Sequence, residues 1–387
     1  MSIFLEDKKY IAGTYNRFPV NIVSGKGSIV FDENSKSYID MGSGIGVTSF
    51  GIADDVWVDA VKAQLDMLQH TSNLYYTNPC VELAKLLCER TGLSKVFFAN
   101  SGAEANECAI KVARKYATDK RGIENPVIVT LRNSFHGRTI TTLAATGQDH
   151  YHEAFRPLTN GFLHIDAANG VEGLKALNEP NIAAVMIECI QGEGGVIPLD
   201  KQFVSDLAQY CELNDILLIV DEVQTGNGRT GSLYAYMNYG ITPDIVTTAK
   251  GLGGGLPIGA AMLGAKVENV LGFGDHGSTY GANPVACAGA VSVISRLDDE
   301  FLKSVEEKSE MIFNELNGAD GIEAVCGKGL MIGIKTVKNA SDVVEKCLEK
   351  GVLCLTAKDK VRLLPSLNIP TETLLKAINI IKEVCVE

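Results

Sequence analysis

The chain has 387 residues, 46% of them hydrophobic, with 21% charged residues and a formal net charge of -12. That length suits two domains and a sizeable core, and the composition excludes a disordered chain. The acidic balance, with no Lys/Arg cluster or aromatic-basic stripe, argues against nucleic acid as a partner.

The first twenty residues, MSIFLEDKKYIAGTYNRFPV, hold no apolar run of signal length, and no later segment reaches 18 uninterrupted apolar residues. A cytoplasmic protein with no membrane partner is therefore expected. From residue 95 onward, short runs rich in Val and Ile predict strands over 95–100, 126–131, 183–190, 216–223 and 244–250. Runs apolar on both faces suit parallel strands covered by helices. Between them, Ala105, Ala109, Val112, Ala113 and Tyr116 recur at helical spacing, as do Phe203, Leu207, Tyr210 and Cys211. Near residue 295 the texture changes to charged amphipathic helices alternating with the short strands LMIGIK and KVRLLP. The expected fold is α/β: a large domain with a mostly parallel sheet over 51–284, and a smaller α+β domain over 285–387 joined by the N-terminal segment 1–50. Ten cysteines without CxxC or Cys/His ligand spacing read as reduced, packed thiols, and no metal is expected.

The stretch LLIVDEVQTGNGRTG, 217–231, places Asp221 and Glu222 at the end of an apolar strand. A buried ionised carboxylate is costly unless a cation or hydrogen-bond donors meet it. Lys250 ends another strand 29 residues on, before GLGGGLPIG, and ligands collect outside the carboxyl ends of such strands. A strand-end lysine flanked by glycine suits an imine-forming amine, and an opposed aspartate suits a protonated pyridine nitrogen. Together they suggest pyridoxal 5'-phosphate. In NSGAEANE, 100–107, a strand, a tight Ser-Gly-Ala turn and a helix offer a phosphate site, although Ser101 taken alone reads better as an N-cap.

These segments, with SFHGRT, ECIQGEGG, TTAKGLGGGLPIGA and HGSTYGANP in this order, resemble the class III aminotransferases of the ornithine and acetylornithine type over essentially the whole chain. The resemblance implies the type I fold of pyridoxal-phosphate-dependent transferases and a homodimer with sites at the subunit interface. It implies that Lys250 carries the cofactor and then moves the substrate proton, and that Asp221 keeps the ring nitrogen protonated. It further implies a cofactor-binding set of Ser101, Gly102, Ala103, Phe135, Glu222, Val223, Gln224 and Thr279, the last from the neighbouring subunit. Val223 and Phe135 would stack on the two ring faces, and Gln224 would meet the phenolic oxygen.

For substrate, the resemblance implies that Arg138 binds the distal carboxylate and Arg362 the α-carboxylate of 2-oxoglutarate, with Glu193 neutralising Arg362 when the amine donor is bound and Ser278 facing the substrate. The implied reaction moves the terminal amino group of N2-acetylornithine to 2-oxoglutarate, giving N-acetylglutamate 5-semialdehyde and glutamate in arginine biosynthesis. The alternatives are an ornithine, succinylornithine, 4-aminobutyrate or lysine-pathway donor, or an aminomutase. Arg229 reads as structural, His136 as a packing or hydrogen-bonding residue, and His150 and His152 as a surface pair. Asn227 and LLPSLNI depart from the usual family pattern.

Overall fold

The computed structural model describes residues 3–387. Its centre is a seven-stranded sheet: β1 (Lys95–Ala99), β2 (Val127–Leu131), β3 (Phe162–Ile165), β4 (Ile182–Ile187), β5 (Leu217–Asp221), β6 (Ile245–Thr248) and β7 (Gly259–Leu263), in the spatial order β1-β7-β6-β5-β4-β2-β3. Only β7 runs antiparallel to its neighbours. Every residue of β4 and β5 is buried, which explains their unbroken apolar sequences.

Two strands escape sequence patterning. In β7 the residues Gly259, Ala260 and Ala261 are small and carry little β-propensity, yet two antiparallel neighbours impose the extended form. Gly259 has a specific reason: a Cβ there would lie 2.2 Å from the Ser101 carbonyl oxygen, so the Ser-Gly-Ala turn can rest on β7 only over glycine. β3 is short and only partly buried.

The helix Gly102–Arg121 follows β1. Ser101 caps it, accepting a 3.2 Å hydrogen bond from the Glu104 N–H, and Gly122 closes it at φ 66°. Its buried face holds Ala105, Ala109, Val112, Ala113 and Tyr116, the expected stripe, and also Asn106. The helix Lys201–Leu213 is capped by Asp200 and buries Phe203, Val204, Leu207 and Cys211.

Beyond the large sheet, the C-terminal region forms a four-stranded antiparallel sheet from Ile322–Lys328, Met331–Thr336, Lys360–Leu363 and Leu355–Ala357. Helices Asp299–Leu316, Ala340–Glu349 and Thr371–Val386 accompany it. Another sheet unites the two ends of the chain: Ile22–Lys26, Ile29–Asp32 and Ser37–Asp40 are joined by Val352–Leu353, with Val352 opposite Ile39. All ten cysteines are free, and seven are buried. No described helix is long and apolar enough to cross a membrane.

His152, expected on the surface, is buried, and its Nε2 lies 2.9 Å from the Leu143 carbonyl oxygen. A single histidine between polar neighbours gives no periodicity from which burial could be read. Arg229 is buried, and its Nη1 donates to the carbonyl oxygens of Leu330 (3.1 Å) and Pro365 (2.5 Å). It thereby ties the glycine-rich loop to the C-terminal sheet, a structural role as expected.

Candidate active site

A cavity of about 590 Å³ opens at the carboxyl ends of β1, β4 and β5 and beside the segment that follows β6. Ser101, Gly102, Ala103, Phe135, Arg138, Asp221, Val223, Gln224 and Lys250, nine of the residues singled out from sequence, line it. Parallel strands deliver their last residues to one edge, and the loops there are free to turn inward.

Asp221, the last residue of β5, is 4% exposed. One carboxylate oxygen accepts from Asn106 Nδ2 at 2.8 Å and meets His136 Nδ1 at 2.8 Å, while the other accepts from the Val223 N–H at 3.0 Å. Asn106 is held in turn: its Nδ2 also donates to the His136 carbonyl oxygen (2.7 Å), and its Oδ1 accepts from Thr247 Oγ1 (2.6 Å). These donors offset much of the cost of burying the charge. Asn106 was not singled out from sequence, although a polar side chain amid the alanines of a buried helix stripe is a usable signal.

Lys250 begins a short 3-10 turn, Lys250–Leu252, at φ 45°, a left-handed conformation unusual for a side chain of its kind. The glycine after it leaves room for a neighbour: a Cβ on Gly251 would approach Ser49 Oγ to 2.7 Å and force that hydroxyl to move. Burial lowers the proton affinity of the Lys250 amine, and Arg362 adds to the effect against the opposing charges of Glu193 and Asp221. A larger fraction of unprotonated amine is thus available near neutrality.

Glu222 was expected among the cofactor contacts and turns elsewhere. Side chains alternate along an extended chain, so Asp221 faces the cavity and Glu222 the interior behind it. Its carboxylate accepts from the Tyr236 N–H at 2.7 Å and from Thr225 Oγ1 at 2.5 Å. Burial raises its pKa from 4.5 to about 7. Between those values the native state keeps a proton that the unfolded chain has lost, so this contribution to stability is full below pH 4.5 and falls away as pH rises through 7. Urea unfolding should show that Glu222→Gln lacks a pH-dependent decline on the order of 3 kcal/mol across this window. Parallel pH profiles for the two proteins would contradict it.

Glu193 and Arg362 form an ion pair, Nη1 to Oε1, at 2.5 Å. Arg362 is fixed in the middle of the strand Lys360–Leu363, between Gly333 and Leu355. Burial by itself would raise the Glu193 pKa, but the guanidinium outweighs it and holds the carboxyl below its ordinary value. Gln224 bridges the pair, donating to Glu193 at 3.3 Å and accepting from Arg362 at 3.2 Å.

Arg138 is exposed at the cavity wall, with its guanidinium carbon 4.3 Å from the Tyr151 ring centroid and 5.6 Å from that of Phe135. Ser278 and Thr279 do not line the cavity. Ser278 Oγ accepts from Asn100 Nδ2 (3.1 Å) and the Gly281 N–H (2.9 Å), and Thr279 is exposed.

The sequence profile described as aminotransferase class-III matches residues 10–385. The acetylornithine aminotransferase of Haemophilus ducreyi is 50% identical over 384 residues, covering 98% of each chain. That of Methanocaldococcus jannaschii is 45% identical over 387 residues, covering 98% of this chain and 97% of its own. The chain belongs to the class-III aminotransferases. Among solved structures, the ornithine aminotransferase of Toxoplasma gondii superposes with a TM-score of 0.93 at 34% identity, covering 99% of this chain and 93% of its own. The N-acetylornithine aminotransferase of Stenotrophomonas maltophilia gives 0.85 at 33%, covering 99% and 98%.

Class-III aminotransferases depend on pyridoxal phosphate, and the residues present fit that group. The cavity joins an amine of lowered proton affinity to a buried carboxylate anchored by three donors. At its wall, Gly102 and Ala103 begin a 20-residue helix whose first N–H groups lack intrahelical partners and favour an anion. Close packing shapes this wall, since a Cβ on Gly102 would strike a Val223 methyl at 2.6 Å.

Proposed function

We propose that this class-III aminotransferase transfers the δ-amino group of N2-acetyl-L-ornithine to 2-oxoglutarate, yielding N-acetylglutamate 5-semialdehyde and glutamate, a step of arginine biosynthesis. The relatives described as acetylornithine aminotransferases support the donor, with identities up to 50% over nearly the whole chain. The observation that carries the two-substrate reading is the Glu193–Arg362 pair. An acceptor with an α-carboxylate needs a free guanidinium beside the reacting carbon; a donor that presents only CH2 there needs that charge neutralised.

Bound pyridoxal phosphate supplies the electron sink for charge that develops on the substrate carbon. Lys250 would hold the cofactor, and its amine of lowered proton affinity suits it to take and return the substrate proton. Asp221 would pair with a protonated ring nitrogen. Val223 and Phe135 would flank the ring, Gly102 and Ala103 would hold phosphate through backbone N–H groups, and Ser101 would contribute its hydroxyl. Arg138 grips the carboxylate far from the reacting end of either substrate. The working unit is a homodimer in the cytoplasm, in which Thr279 reaches the neighbouring site and Ser278 faces substrate.

In Glu193→Ala the unneutralised Arg362 should raise KM for acetylornithine about tenfold while the glutamate half-reaction is spared or improved. Single-turnover kinetics of each half-reaction would read this, and equal losses in both would argue against the switch. Arg138→Ala should raise KM for both substrates by about 10- to 100-fold, since a charge-assisted carboxylate contact is lost each time. A donor panel with 2-oxoglutarate tests the substrate assignment: kcat/KM highest for acetylornithine supports it, and a marked preference for 4-aminobutyrate or ornithine defeats it.

A further inference from the structure

A second carboxyl group faces the same cavity and has no part in the chemistry so far. Glu188 follows the last residue of β4 and Asp221 is the last residue of β5, each one position beyond the final pair of their parallel register, Val220 opposite Ile187. Both line the cavity, at 4% and 6% exposure. Two ionised carboxylates, both nearly buried at the ends of neighbouring strands and facing one cavity, would repel each other.

The donors are divided unequally. Asp221 is met by His136 Nδ1, Asn106 Nδ2 and the Val223 N–H, all within 3.0 Å. Glu188 receives one long hydrogen bond, from the Phe135 N–H to Oε2 at 3.3 Å. The donors that stabilise a charge are gathered on Asp221, and a buried carboxyl with as little support as Glu188 favours its protonated form. We propose that Glu188 is the un-ionised member of a carboxyl pair with Asp221 and acts as a neutral hydrogen-bond donor into the cofactor cavity, a positioning residue for the ring. This rests on the reading of the cavity as the pyridoxal phosphate site.

The surrounding groups agree. Burial first, and then the negative charge of Asp221, push the Glu188 carboxyl well above its ordinary pKa; Glu193 adds to this, and Lys250 opposes it without reversing the direction. The consequence is a site that opposes the ring with one negative charge rather than two. A second full charge would strengthen proton retention by Lys250, the group that must give its proton up.

Infrared difference spectroscopy tests this without turnover. At neutral pH the cofactor-free protein should show the C=O stretch of a protonated carboxyl group that disappears in Glu188→Gln. The same band should shift when pyridoxal phosphate is added to the wild type. Glu188→Gln, still a neutral donor, should keep the cofactor dissociation constant within about threefold, whereas Glu188→Leu should weaken it about tenfold, the worth of one buried hydrogen bond. Absence of the Glu188-dependent band, or a band indifferent to the cofactor, overturns the proposal. Circular dichroism confirms that each variant is folded, and a variant that is not folded is replaced by Glu188→Asn, which must also keep the cofactor-free protein without the band. Borohydride fixation of the cofactor on the wild-type protein separates the two readings: label on Lys250 with an indifferent band defeats the role of Glu188 alone, and no label defeats the cofactor site.

Discussion

Lys250→Ala is expected to lower kcat by about 10⁴-fold or more while the fold persists. The amine is asked for two tasks, holding the cofactor and moving the substrate proton, and proton transfer by a positioned group is worth about 10²–10⁴-fold by itself. No neighbouring base can replace it. Glu193 is tied to Arg362 at 2.5 Å, and the carboxylate of Asp221 is committed to its donors. Alanine meets the same backbone strain at φ 45°, so stability should change little, and circular dichroism with thermal melting checks this. A small primary amine added to the solution should restore part of the rate, because the variant lacks the proton carrier and keeps the rest of the cavity. Retention of more than a tenth of wild-type turnover would remove Lys250 from the chemistry.

Asp221→Ala should lose cofactor retention and rate together, with kcat down by about 10²–10³-fold, the scale seen when one preorganised electrostatic partner is removed from a reacting site. The reasoning starts from the cost of the buried charge. His136 Nδ1 and Asn106 Nδ2 converge on one oxygen, and the Val223 N–H takes the other. Such an arrangement fixes the carboxylate in direction, ready to hold a protonated ring nitrogen. The alanine variant removes the charge and strands the ring of His136, whose Nε2 already has no protein partner, while Asn106 keeps its bonds to the His136 carbonyl and Thr247. Equilibrium dialysis should show a dissociation constant for pyridoxal phosphate raised by at least about tenfold, matching the loss of one charged hydrogen-bonded pair. In Asp221→Asn the shape is retained and the charge is not. A rate loss close to that of alanine would assign the effect to charge, whereas near-normal turnover would show that Asp221 only positions its neighbours.

The sequence revealed the strand-end chemistry because charged residues closing Val- and Ile-rich runs are visible in one dimension. Asp221 and Lys250 stood out in that way, and both line the same cavity. β4 and β5 were legible for the same reason, while β7, built from glycine and alanine at its start, was not; its conformation is set by β1 and β6. What remained hidden depends on register and on which way a side chain turns. Glu222 and Asp221 are adjacent in the chain and look equivalent, but alternation sends them to opposite faces. Asn106 and Glu188 lie 115 and 33 residues from Asp221 in sequence; only the packing of the helix Gly102–Arg121 on the sheet brings Asn106 to its carboxylate, and only the pairing of β4 with β5 brings Glu188 to the same cavity. Ser278 and Thr279 lie outside the cavity of this chain, and no pattern in the sequence could show that.

The most direct measurement of the central claim is borohydride reduction of the protein loaded with pyridoxal phosphate, followed by mass spectrometry of its peptides. The account predicts one phosphopyridoxyl group per chain, carried by the peptide containing Lys250 and greatly diminished in Asp221→Ala at the same cofactor concentration. A label spread over surface lysines, or one that ignores the loss of Asp221, would contradict it.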